Sequence, residues 1–343
     1  MLSLERVDAN SIDFDKINRY SDRTIFQTPD WLNFISSTQN GESVLALVKD
    51  GQNTVGFFAG SVVQKYGFRI LGSPFPGWTT FYMGFCLFPG TSRRAAVEAL
   101  LRFAFNELGC IHVELMDRNL TLDDIHHLGF EHRNFATVEI DLTQSDDDLL
   151  ANMSKSCRWG VRKSEKNGVT IEEAYDPSFA YEYYDQLVEV FAKQSLVPTY
   201  GVERVCELIK YILPTDQLLL LRARDAKGHC IATGIFPAMN QTMYFWGGAS
   251  WRKYQHLLPN EAIQWYAIRY WKERKIRSYD MGGIRDYKRK YGGREIFVPW
   301  ARKSKYAFIP PARNLAQVLF KTRQHLLGSW HRISGQTALA SEK

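Results

Sequence analysis

The 343-residue chain has few of the features that mark specialised proteins. Its five cysteines, Cys86, Cys110, Cys157, Cys206 and Cys230, are scattered and odd in number. No CxxC pair exists, which excludes a zinc ribbon and a disulfide framework. No HExxH, GxxxxGK[ST], GxSxG or EF-hand pattern occurs, so no metal site or phosphate loop of a known kind is expected. His126 and His127 are adjacent and read as helix-surface residues rather than ligands. Long apolar runs are missing too: Leu218–Leu221 is far too short to span a bilayer. The start, MLSLERVDAN, carries acidic residues and no apolar segment. The expectation is a cytoplasmic chain, soluble or peripheral at the inner face of the membrane. No stretch is low-complexity.

What is present is ordinary globular material. Hydrophobic residues make up 45% and charged residues 23%, which excludes disorder, collagen and coiled coil as the main state. The length suits roughly two average domains. The net charge of +6 is uneven. Residues 251–330 hold 18 Lys and Arg against 5 Asp and Glu; the remainder holds 25 against 32. A basic half joined to an acidic half points to an anionic partner: RNA, a phosphorylated or diphosphate-linked substrate, or an anionic membrane.

Two stretches read alike. VLALVKDGQNTVGFFAGSVV (44–63) is strand, turn, strand, followed by aromatic strand material from Trp78 to Phe88. Ser92 then caps a helix to Leu108, and GCIHVELMD (109–117) is a strand. QLLLLRARDAKGHCIATGIFPA (217–238) repeats strand, turn, strand. MYFWGGA (243–249) is an aromatic strand, and a helix over 258–274 has Pro259 in its first turn. KIRSYDMGG (275–283) is a strand ending in glycines. The same order recurs at an offset of about 170 residues, which suggests either a duplicated α/β unit or a chance likeness of generic α/β pieces; the family resemblance below favours the duplication. Between the copies, Ser145 and Asp146 to Asp148 suit a helix start. The chain is therefore divided into a first domain over 1–145 and a second over 146–310. A basic amphipathic helix over 311–333 packs back on the protein or lies on a membrane surface, and 334–343 is a disordered tail.

Three patches carry candidate chemistry. In RWGVRKSEKNGV, Arg158 and Arg162 share a helix face and Lys163 is adjacent; these cations can hold phosphates, or form a solvated face. YDMGGIRD places Asp280, two glycines and Arg285 at the end of a strand, where open α/β sheets bind ligands, although such an aspartate can also serve only its own turn. YKRKYGGR interleaves cations with Tyr287 and Tyr291, a run that can contact RNA or phosphates.

Together these segments resemble the Fem-type aminoacyltransferases, which are tandem proteins of the GNAT (N-acetyltransferase) superfamily. FQTPDWLNF (26–34) is similar to the family's early Q…W segment, and LGFEHRNFATVEIDL (128–142) to the close of its first domain. RWGVRKSEKNGVTI (158–171) is similar to the opening of its second domain, and DMGG with YKRKYGG (280–293) to its D-x-G…FKxxFGG block, with Tyr287 in place of the usual phenylalanine. The resemblance implies an α/β (α+β) fold of two tandem GNAT-like domains, each a mixed, largely antiparallel sheet flanked by helices. It implies an N-acyltransferase that moves an aminoacyl group, from aminoacyl-tRNA, to an amine of a cell-envelope precursor such as a peptidoglycan stem peptide. An acyl-CoA- or carrier-dependent transferase acting on an amino sugar or lipid is the alternative. A non-catalytic RNA- or membrane-binding protein is a third reading. The donor is a co-substrate and no resident cofactor is expected. Lys288 corresponds to the family's FK lysine and becomes the candidate cation for the oxyanion, with Asp280 orienting the amine or the loop. Arg158, Arg162, Lys163, Tyr244, Trp246, Asn260, Arg285, Tyr287 and Tyr291 are the candidate substrate-binding residues. The segment SWRKYQHLLPNEAI (250–263) lacks the glycine-rich turn that cradles an acyl-CoA diphosphate at a helix start, which with the basic half favours an RNA-borne or otherwise atypical donor.

Overall fold

The computed structural model describes residues 1–311 apart from residue 19, together with residues 313 and 322. The helix expected over 311–333 and the tail over 334–343 lie almost wholly outside the described residues. Among the described residues fourteen strands form one sheet. In chain order they are β1 (Leu2–Val7), β2 (Glu42–Asp50), β3 (Asn53–Lys65), β4 (Phe68–Ser73), β5 (Gly84–Leu87), β6 (Cys110–Leu115) and β7 (Glu131–Asp141). They continue as β8 (Thr170–Glu173), β9 (Leu218–Arg224), β10 (Cys230–Met239), β11 (Thr242–Tyr244), β12 (Gly247–Ser250), β13 (Ser278–Asp280) and β14 (Arg294–Ser304).

The duplication is visible in the pairing. β3 pairs antiparallel with β2, β4 and β5, and β4 runs parallel to β6. β10 likewise pairs antiparallel with β9, β11 and β12, and β11 runs parallel to β13. The central order β6-β14-β7-β13 then exchanges strands. β14, from the end of the chain, lies against β6, and β7 lies against β13. The two units share one continuous sheet, so their relative position is fixed by backbone hydrogen bonds.

Helices cover this largely antiparallel sheet, and their ends follow local signals. Ser92 Oγ accepts from Ala95 N–H at the start of Arg93–Arg102. Ser145 Oγ accepts from Asp148 N–H at the start of Asp146–Asn152. Pro259 opens Pro259–Glu273, and Gly168, at φ +77°, follows Lys155–Lys166. Three apolar clusters result. One lies under Arg93–Arg102 and one under Pro259–Glu273. The largest joins residues of both units, among them Phe26, Trp31, Tyr82, Tyr183, Tyr244 and Trp246.

One segment departs from its sequence reading. Only Gly84–Leu87 of the stretch from Trp78 to Phe88 is a strand. Residues 74–83 form an irregular crossing that reaches into the second unit.

Candidate active site

The second unit opens where β11 and β13 part. Their parallel register ends at Tyr244 opposite Asp280. Phe245 N–H still donates to Asp280 O (2.9 Å), but Trp246 N–H turns away to Ile235 O (3.1 Å). One arm of the resulting slot carries Gly247 and Gly248, the other Gly282 and Gly283. Gly282 sits at φ +66°, and a Cβ there would lie 2.6 Å from the Phe81 ring.

Lys288 stands on the short helix Asp286–Arg289 and is only 6% exposed. Its Nζ donates to Met281 O (2.5 Å) and Gly282 O (2.7 Å), both on the slot's second arm. An ammonium has three N–H donors. The third has no hydrogen-bond partner among the described residues, and the group lies 5.5 Å from the centre of the Phe245 ring. Burial drives its pKa from 10.5 down to about 8; the Arg285 charge acts the same way and the Asp280 charge opposes.

Asp280 is fully buried. Its Oδ1 accepts from Thr137 Oγ1 (2.6 Å) and Gly282 N–H (2.8 Å), and its Oδ2 from Tyr82 OH (2.8 Å). Burial raises its pKa, while these donors and Arg118 pull it down. Thr137 Oγ1 also accepts from Gly283 N–H (3.0 Å), so one carboxylate and one hydroxyl fix both slot glycines. Arg118 lies over the Tyr82 ring at 5.4 Å and donates to Glu139, which also accepts from Arg294 (3.0 Å).

Tyr82 belongs to the irregular crossing of the first unit. Thr24 Oγ1 donates to Tyr82 O (2.8 Å), Gln27 Nε2 to Met83 O (2.7 Å) and Trp31 Nε1 to Thr80 Oγ1 (3.0 Å). The FQTPDW segment therefore holds the backbone that delivers Tyr82 to Asp280. Tyr82, Thr137, Arg118 and Glu139 were not singled out in the sequence. The signals for them were that segment, whose Gln and Trp anchor the crossing, and LGFEHRNFATVEIDL (128–142), which contains Thr137 and Glu139.

The other expected residues are distributed as follows. Tyr287 is exposed and Arg285 is exposed beside it. Tyr291 is buried in the core beneath the Pro259–Glu273 helix, and Tyr244 in the shared core against Phe26 and Phe81. Trp246 packs in the same core against Tyr183 and Tyr200, with its Nε1 buried and unpartnered among the described residues. Arg158 Nη1 caps the preceding helix through Leu150 O, Ala151 O (2.7 Å) and Met153 O. Arg162 is exposed and Lys163 half-buried, and neither side chain has a hydrogen bond or ion pair among the described residues. Their helix is tied to the lysine block by Ser154 N–H donating to Lys290 O (2.8 Å). Asn260 Nδ2 donates to Ser250 Oγ (3.1 Å).

A slot flanked by glycines, with a buried cation on one arm, can hold an acyl ester and neutralise charge that develops on its oxygen. Residues 151–289 match the family described as Acetyltransferase (GNAT) domain. This part of the chain has the fold of a GNAT domain. Around it, the fold is the Fem-like tandem GNAT fold. The structure is similar to the crystal structure of FemX, with a TM-score of 0.69 and 14% identity over 86% of this chain and 96% of that one. It is similar to L-PGS from Bacillus licheniformis, with a TM-score of 0.53 and 14% identity over 85% and 96%. A tandem GNAT protein from the clavulanic acid biosynthesis pathway gives 0.53 and 11% identity over 89% and 99%. No curated protein matches the chain in sequence.

Proposed function

We propose that the chain transfers an aminoacyl group from aminoacyl-tRNA to an amine of a cell-envelope precursor such as a peptidoglycan stem peptide. The observation that carries this reading is Lys288, a buried cation held on the glycine-bearing arm after β13, whose third N–H has no partner among the described residues. The amine nitrogen attacks the ester carbonyl carbon, and a tetrahedral oxyanion forms. Lys288 donates to that oxygen. The carbon–oxygen bond to the ribose then breaks, an amide is left, and the amine's proton passes to the departing hydroxyl. The lysine supplies charge and position and keeps its own proton. Asp280 is a positioning residue: it holds the backbone of Gly282, whose carbonyl holds Lys288.

The choice of donor rests on the start of the Pro259–Glu273 helix. An acyl-CoA diphosphate needs free amides there. Pro259 has no amide hydrogen, Leu258 before it sits at φ +64°, and the first turn already contains Glu261, paired with Lys290 at 2.6 Å. A carboxylate in this turn repels a diphosphate. The basic segment 251–330, and Arg162 and Lys163, which are unpaired among the described residues, suit an RNA instead. The family's acetyltransferase description favours an acyl-CoA donor as the second reading. We further place the unit boundary near residue 145.

Lys288→Ala tests the reading. Turnover is expected to fall by 10²-fold or more, the usual cost of one oxyanion donor, with the fold retained by circular dichroism. Full activity in that variant would remove Lys288 from the reaction.

A further inference from the structure

A polar cavity of about 670 Å³ lies away from the slot, at the opposite end of β13. Its volume is in the range of small-ligand sites. Glu139 stands opposite Asp280 across β7 and β13, and Asp141 stands opposite Ser278 one row further out. Arg294 stands opposite Glu139 on β14. Directly opposed strand residues share a face, so these side chains form one polar surface. The cavity is lined by Glu139, Asp141, Gln241, Arg277, Ser278 and Arg294, among others.

Its groups are only partly used up by one another. Glu139 is neutralised by Arg118 and Arg294. Arg277 is exposed, and its guanidinium has no partner among the described residues. Ser278 Oγ is buried and unpartnered among the described residues. Asp141 stays ionised, held below the usual carboxylate range by Thr143. The cavity thus presents both unspent positive charge and an accessible carboxylate. A simple anion would leave Asp141 facing it, and a simple cation would face Arg277, with Arg294 already shared with Glu139.

Lys288 does not line this cavity, and the lining meets the candidate active site only at Glu139, through Arg118. Arg289, next to Lys288, donates to Glu295 (2.6 Å). Glu295 follows Arg294 on the same strand and points to the other face.

We propose that this cavity is a second ligand site, for a small zwitterion of the amino-acid class, with its carboxylate between Arg277 and Arg294 and its ammonium at Asp141. The site does not depend on the acyltransferase reading. It is tested by titrating the full chain calorimetrically with each standard amino acid, and with acetate and methylamine as single-charge probes. At least one amino acid is expected to bind saturably, and acetate and methylamine at least tenfold more weakly. Arg277→Ala and Asp141→Asn should each weaken that binding by about tenfold, the cost of one charge-assisted contact. Both side chains are exposed, and circular dichroism checks that each variant folds. Lys288→Ala should bind as the parent does, whatever its transfer activity. No saturable binding by any amino acid would overturn the proposal. So would acetate binding as tightly as the amino acid, or binding indifferent to both variants. Loss of binding in Lys288→Ala would overturn the separateness of the site.

Discussion

Lys288→Met measures how far the fold has desolvated its central cation. The substitution keeps the length of the side chain and removes its charge. In the unfolded chain the lysine titrates at its ordinary 10.5, and in the folded chain at about 8. Below pH 8 both states hold the proton. Between the two values the folded state releases it while the unfolded state keeps it. The unfolded state then binds more protons, so stability rises with pH across this window. The full gain is about 3 kcal/mol at 1.36 kcal/mol per unit, and about 2 kcal/mol of it falls between pH 7.5 and 9.5. Buried Tyr82, Tyr183, Tyr279 and Tyr291 have raised pKa values and lose stability at still higher pH. They are present in both proteins and cancel in the difference. The assay is urea unfolding of parent and variant at several pH values. The parent should gain about 2 kcal/mol on the variant between pH 7.5 and 9.5. A difference that stays flat would mean a solvated ammonium, and the argument for a preorganised cation would fail.

Tyr82→Phe removes one of three donors from a buried carboxylate. It should cost about 1–3 kcal/mol in urea unfolding and slow transfer; no change in either would detach the crossing segment from the site. Arg158 and Arg162 should separate. Arg158→Ala uncaps a helix and lowers stability by about 1 kcal/mol. Arg162→Ala should leave stability within about 0.5 kcal/mol and reduce the salt dependence of tRNA binding by about one phosphate contact. An unchanged salt slope would take Arg162 out of RNA binding.

Much of this was legible locally. The helix caps at Ser92 and Ser145 and the proline at 259 act within one turn, so the sequence shows them directly. The duplication was legible because each unit repeats the same local elements in order. The exchange of β7 and β14 was not, since strand partners so distant in the chain leave no periodic trace. The helices Phe179–Ala192 and Val202–Ile212 also escaped, although they bury Tyr183 and Leu208. At the site, the block around Asp280 and Lys288 stood out because glycines, acid and lysine are neighbours in sequence. Tyr82 and Thr137 reach Asp280 from 198 and 143 residues away, and only the three-dimensional structure unites them. Tyr244 and Tyr291 show the reverse: aromatic residues beside functional ones can be plain core.

A donor comparison tests the central claim most directly. Purified protein is mixed with labelled aminoacyl-tRNAs, or separately with labelled acetyl-CoA, in the presence of a bacterial envelope-precursor extract. The account predicts that label passes from tRNA into the extract and that Lys288→Ala abolishes the transfer. Transfer from acetyl-CoA alone, or tRNA-dependent transfer undiminished in that variant, would contradict it.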